Sequence, residues 1–134
     1  MNVSVGSWNA RALTDNMGSE ARNFWKDSCL PSSSEGGYLD IYQVHSYAYM
    51  GIYDSYSPFR HQYSDYGLDK PLIVGEFSQI SGAGLTSAQQ YTYLFCNHYA
   101  GAWGWQANGS GEGSDTFDVL KSGMASLRQI SRCP

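Results

Sequence analysis

Lys70-Pro71-Leu72-Ile73-Val74-Gly75-Glu76-Phe77 is an apolar run closed by a carboxylate. Leu72 to Gly75 carry no polar side chain, Ile73 and Val74 are β-branched, and Pro71 stands at the start. A run this short, bounded in this way, reads as a buried strand. Continuous apolarity, without polar alternation, indicates a parallel strand covered on both faces. A carboxylate at the end of such a strand is costly unless it is hydrogen-bonded or used, which singles out Glu76.

Three more runs of the same kind lie on either side: Val3 to Trp8, Asp40 to Tyr47, and Ala100 to Gln106. Helical patterns separate them. Ser19 to Cys29 pairs a polar stripe with Phe24-Trp25. Ser57-Pro58-Phe59 is expected to open a short helix toward Tyr66, with Ser57 as cap. Thr86 to Tyr99 begins with a capping residue. Asp115 to Ile130 places Phe117, Leu120, Met124, Leu127 and Ile130 at helical period. Strand alternating with helix implies an α/β fold with a parallel sheet, and from the second strand each unit recurs at roughly 30 residues. Residues 32–37 and 109–113 read as polar loops, so 1–134 is treated as one domain.

Composition narrows the function. The chain has 134 residues, 42% hydrophobic and 15% charged, which describes a globular domain. The aromatic share is 15%, with 11 Tyr and 4 Trp in clusters, as suits a cleft that stacks rings on sugar C–H faces. A net charge of -4 and the lack of any Lys/Arg run argue against nucleic acid and anionic membranes. No apolar stretch approaches the ~20 residues that span a bilayer. The first residues show no signal-peptide pattern. The three cysteines, Cys29, Cys96 and Cys133, have no metal or redox spacing and read first as isolated thiols; Cys96 and Cys133 are the pair if a disulfide forms. No metal site or cofactor is implied.

In a parallel α/β architecture the chemistry gathers at the C-terminal strand ends. Those ends here are Ser7-Trp8-Asn9, His45-Ser46-Tyr47, Gly75-Glu76-Phe77 and Trp103-Gly104-Trp105-Gln106. Strict alternation groups Leu72, Val74 and Glu76 on one face, Gln43, His45 and Tyr47 on one face, and Trp103 with Trp105.

These four segments together resemble the last four strands of clan A (β/α)8-barrel glycoside hydrolases, especially family 5 endo-β-mannanases and cellulases. The run ending in Glu76 resembles the seventh barrel strand, which carries the nucleophile; Asp40 to Tyr47 the sixth; Ala102-Trp103-Gly104-Trp105-Gln106 the eighth; and Val3 to Trp8 the fifth. The resemblance implies the C-terminal half of a TIM barrel, strands 5–8. It implies a retaining hydrolase of β-1,4-linked polysaccharides, mannan ahead of cellulose, secreted in the intact parent. Glu76 matches the nucleophile, and His45, Tyr47, Trp105, Trp103 and Trp8 are the sugar-contacting candidates, with Trp105 ahead of Trp103 as the floor of the site.

One departure matters. The family's acid/base Glu follows the fourth barrel strand in an Asn-Glu pair, and no such pair occurs here. Asp54, Glu112, Asp115, Glu20 and Glu35 read as surface charges. A closed barrel also needs eight strands and about 250 residues. The alternatives are a non-catalytic carbohydrate-binding half barrel and a small open α/β domain of unrelated role. Exposed sheet edges lead us to expect self-association, or pairing with a missing N-terminal half.

Overall fold

The computed structural model describes residues 2–30, 37–47, 51–106, 108 and 113–133. The parts of the polar loops at 32–36 and 109–112, with Glu35 and Glu112, lie outside the described residues.

All four expected strands form, each shorter than its apolar run: β1 Gly6–Ser7, β2 Tyr42–His45, β3 Leu72–Glu76 and β4 Gly101–Ala102. They make one parallel sheet in the order β1-β2-β3-β4. Sequential parallel order with helical crossovers is how half of a (β/α)8 barrel is laid out. The helix-facing side of the sheet is apolar. Tyr42, Val44, Leu72 and Val74 have no exposure, nor does Phe77 just beyond β3. Phe77 packs edge-on against Phe59 (5.3 Å between centroids) and Tyr91 (5.2 Å), which ties β3 to both flanking crossovers. Each such buried side chain contributes roughly 1.5–3 kcal/mol.

Helix α1, Ser87–Cys96, forms as expected from its cap. Thr86 accepts from the Gln89 backbone N–H, and the Gln89 side chain accepts from the Thr86 N–H at 2.9 Å. Helix α2, Phe117–Ser126, begins at a Thr116 cap and runs into a 3-10 turn, Leu127–Gln129. Its apolar stripe is only partly used. Leu120 is buried, but Phe117 is 54% and Met124 47% exposed. The two helices instead meet at Gly123, where a Cβ would stand 2.1 Å from the Ser87 hydroxyl and 2.9 Å from the Tyr91 ring.

Two expectations are corrected. Ser19 to Cys29 is not a helix; within it only Asp27–Cys29 makes a 3-10 turn. Its backbone donors are taken elsewhere: Arg22 N–H donates to the Arg11 carbonyl, Phe24 N–H to the Ala12 carbonyl, and Asn23 N–H to the Asp15 carboxylate. Asn and Asp side chains thus compete successfully with the i–4 carbonyls. Ser57 does not cap a helix at Pro58. Its hydroxyl accepts from the Phe59 N–H in a local turn, and the helical segment is a 3-10 turn at Tyr63–Tyr66.

The cysteines are not all isolated. Cys96 at the end of α1 is bonded to Cys133, while Cys29 is free. Closing a loop over a separation of 37 residues constrains the unfolded chain by about 4 kcal/mol. Replacing Cys96 and Cys133 together with Ser is therefore expected to lower the unfolding free energy by about that amount in urea melts. A loss below about 1 kcal/mol would show that the C-terminal tether does not limit the unfolded state.

Candidate active site

The site begins with an irregularity in β3. Val44 pairs with Val74, but the next residue of β2, His45, pairs with Glu76. Gly75 is the extra residue of this bulge. A bulge re-aims the side chain that follows it. Leu72 and Val74 face the buried helix side, whereas Glu76 turns to the face of His45. The alternation that grouped Leu72, Val74 and Glu76 is corrected for this reason. The sequence carried a signal, since a glycine inside a strand run marks a bulge or a close backbone approach. Here it marks both: a Cβ on Gly75 would stand 2.1 Å from the Gln43 amide nitrogen and 2.6 Å from its Cδ and Cγ.

Glu76, His45 and Tyr47 come together. The Tyr47 hydroxyl donates to Glu76 Oε2 at 2.8 Å, and His45 Nδ1 lies 3.3 Å from the same oxygen. The backbone is held as well, since Ser46 N–H donates to the Glu76 carbonyl at 2.8 Å. The side chains of His45 and Glu76 are 20% and 25% exposed, so the carboxylate is shielded yet reachable. Trp8, at the end of β1, is 61% exposed and tilts its ring over Tyr47 with centroids 6.1 Å apart. Behind His45 its Nε2 lies 3.3 Å from the Gln43 amide nitrogen, and the Gln43 carbonyl oxygen accepts from Ser4. Gly6 makes room for the ring, since a Cβ there would meet His45 Nε2 at 2.7 Å.

The two other tryptophans are placed differently. Trp105 donates its N–H to the Phe77 carbonyl at 2.7 Å, and its own carbonyl accepts from Asp115. This sets its backbone level with the end of β3, one residue beyond Glu76. Trp103 is 58% exposed and lines a groove beside β4 with Phe95, Met124 and Leu127.

Three other acidic groups among the described residues have partners of their own. Asp54 pairs with Arg60, Glu20 with Arg11, and the buried Asp115 accepts from Gln79. Asp115 is thus a structural carboxylate, not the surface charge expected of it. Among the described residues no group of three His, Cys, Asp or Glu side chains could hold a metal ion.

The environment also tunes Tyr47. Its phenol is pushed well above the ordinary tyrosine value, first by burial, then by its hydrogen bond to the Glu76 carboxylate, because ionising it would set two negative charges side by side. It therefore stays a neutral donor. A group raised in this way favours the folded state at pH values below its unfolded pKa of about 10, and that contribution fades as pH rises further. In an ultraviolet titration, the difference between the chain and its Tyr47→Phe variant is expected to show a phenol ionising above the normal range. Glu76→Gln should bring that midpoint partway down, leaving the share due to burial. An ordinary midpoint in the unsubstituted chain would contradict the contact.

No family model matches the chain. It is 41% identical over 105 residues to the mannan endo-1,4-β-mannosidase of Mytilus edulis, covering 77% of this chain and 28% of that protein. It is 36% identical over 129 residues to the mannan endo-1,4-β-mannosidase of Cryptopygus antarcticus, covering 94% of this chain and 33% of that protein. The crystal structure of endo-1,4-β-mannanase from Eisenia fetida superposes with a TM-score of 0.87 at 41% identity, over 98% of this chain and 36% of that one. The chain spans about a third of the length of these relatives. Over nearly all of its own length, this chain is a homologue of one part of the β-1,4-mannanases, glycoside hydrolases, and its four parallel strands are a portion of a (β/α)8 barrel.

Proposed function

We propose that this chain carries the nucleophile side of a retaining endo-β-1,4-glycosidase acting on mannan, with family 5 as its class and Glu76 as the nucleophile. The observation that carries the reading is the convergence of Tyr47 and His45 on one oxygen of Glu76 at the strand ends. Both contacts go to Oε2, and neither uses Oε1. A carboxylate held in this way presents a fixed second oxygen to an anomeric carbon.

In the retaining reaction, Glu76 forms a bond to the anomeric carbon as the glycosidic C–O bond breaks. A second carboxyl group, about 5 Å away, protonates the departing oxygen. It then removes a proton from water, which attacks the same carbon and returns Glu76 to its carboxylate. No Asn-Glu pair in this chain supplies that group, so the acid/base comes from barrel sequence outside these 134 residues. Trp8 and Trp105 are read as walls for the sugar ring, with Trp103 as a more distant candidate. The polysaccharide is assigned as mannan because both curated relatives carry that name. The Cys96–Cys133 disulfide supports an extracellular setting. No helix among the described residues is long and apolar enough to cross a membrane. The open side of β4, with exposed Trp103 and Met124, is where further barrel strands or a second copy would pack.

A second reading keeps the binding surface without hydrolysis. It is favoured by the exposed Trp8 beside Tyr47 and by Asp54, Glu20 and Asp115 already having partners.

Steady-state kinetics on mannan decide between the two. In the complete barrel that contains this segment, Glu76→Gln is expected to lower kcat by at least about 1,000-fold while leaving KM within a few-fold. Unchanged turnover would overturn the nucleophile assignment. Binding of manno-oligosaccharide without any turnover by the unsubstituted barrel would favour the binding module.

A further inference from the structure

The contacts behind His45 decide which of its ring nitrogens carries the proton, and we propose that Gln43 is a positioning residue that holds His45 as the Nδ1–H tautomer, donating to Glu76. A neutral imidazole has one N–H and one lone pair, and the partner of one nitrogen dictates the state of the other. Gln43 Nε2 faces His45 Nε2 at 3.3 Å, while Gln43 Oε1 is occupied by the Ser4 hydroxyl at 3.4 Å. An amide nitrogen only donates, so His45 Nε2 must offer its lone pair. The single ring proton then sits on Nδ1, facing Glu76 Oε2 at 3.3 Å.

With the Gln43 amide as placed, the other neutral tautomer is disfavoured. If the Gln43 amide were turned over, Nε2–H would donate to its oxygen, and the bare Nδ1 lone pair would face a carboxylate. For a neutral ring the Nε2–H tautomer thus sets a bare lone pair against a carboxylate in a part-buried site, where such clashes are least screened.

Two glycines create the geometry. Gly75 lets the Gln43 amide lie against β3, and Gly6 lets the ring lie against β1. Ser4, Gln43, His45 and Glu76 thus form one directed chain of donors ending on Oε2, joined there by Tyr47. The catalytic meaning of this chain rests on reading Glu76 as the nucleophile, but the tautomer itself does not.

The test is nuclear magnetic resonance on the chain labelled with 15N-histidine, at a pH above the ordinary imidazole range. Long-range proton–nitrogen correlations distinguish a protonated from a bare ring nitrogen directly. His45 is expected to show a protonated Nδ1 and a bare Nε2. Gln43→Leu removes the donor facing Nε2 and should raise the Nε2–H fraction in part, since Glu76 still favours a proton on Nδ1. His61 and His98 lie outside this chain of contacts and should keep their signals, reporting an intact fold. An Nε2–H ring in the unsubstituted chain would overturn the proposal without any variant. So would an unchanged Nδ1–H ring in a folded Gln43→Leu chain. Retained mannanase turnover in Glu76→Gln would instead sink the nucleophile assignment and leave this spectrum as it is.

Discussion

The one-residue slip at Gly75 is the constraint on which the rest of the site depends. Side chains alternate along a strand, so a regular β3 would send Glu76 to the face of Leu72 and Val74, both fully buried. A carboxylate there would lose its hydration with no partner, at a cost of several kcal/mol. The bulge turns it instead toward Tyr47 and His45, which supply a hydroxyl and a ring N–H. Gly75 is the unpaired residue of the slip, and its missing side chain leaves room for Gln43.

How legible this was from the residues varied with the physical source of each feature. The four strands and their parallel order followed from local apolarity, and α1 from the capping box of Thr86 and Gln89; local signals of this kind survive into the fold. The segment 19–29 misled because its polar stripe has helical spacing, yet Arg11, Ala12 and Asp15 take its backbone donors across the chain and Asn23 takes that of Trp25 locally. Nothing within the segment announces that its partners lie in residues 11 to 15. In α2 the stripe was real, but it is wider than the surface the described chain covers, so Phe117 and Met124 remain exposed while Gly123 makes the contact. The convergence of His45, Tyr47 and Glu76 was legible because all three sit at strand ends. The turn of Glu76 from one face to the other was not, because a register shift belongs to a pair of strands and not to either one.

The unsatisfied surfaces have a consistent direction. β1 and β4 are the outer strands of the sheet, and the groove with Trp103, Phe95, Met124 and Leu127 lies beside β4. A closed barrel has no sheet edges, and the solved relatives are almost three times as long as this chain. Apolar side chains left uncovered at the side where closure would occur are what a segment of such a barrel exposes.

The same geometry divides the proposed active site unevenly. The contacts that order Glu76 come from β2, the two residues just beyond it and the residue Ser4 ahead of β1: Tyr47 and His45 at its carboxylate, Ser46 at its carbonyl, and Gln43 and Ser4 behind the ring. These elements are adjacent, parallel and anchored by one apolar face, so the ordering of the proposed nucleophile does not require closure of the barrel. General acid catalysis does, because its carboxyl must stand a fixed distance across the ring from Glu76. The proposed attacking half is thus organised locally, through short-range contacts between neighbouring strands. The half that protonates depends on long-range closure, and the two functions are separable along the chain for that physical reason.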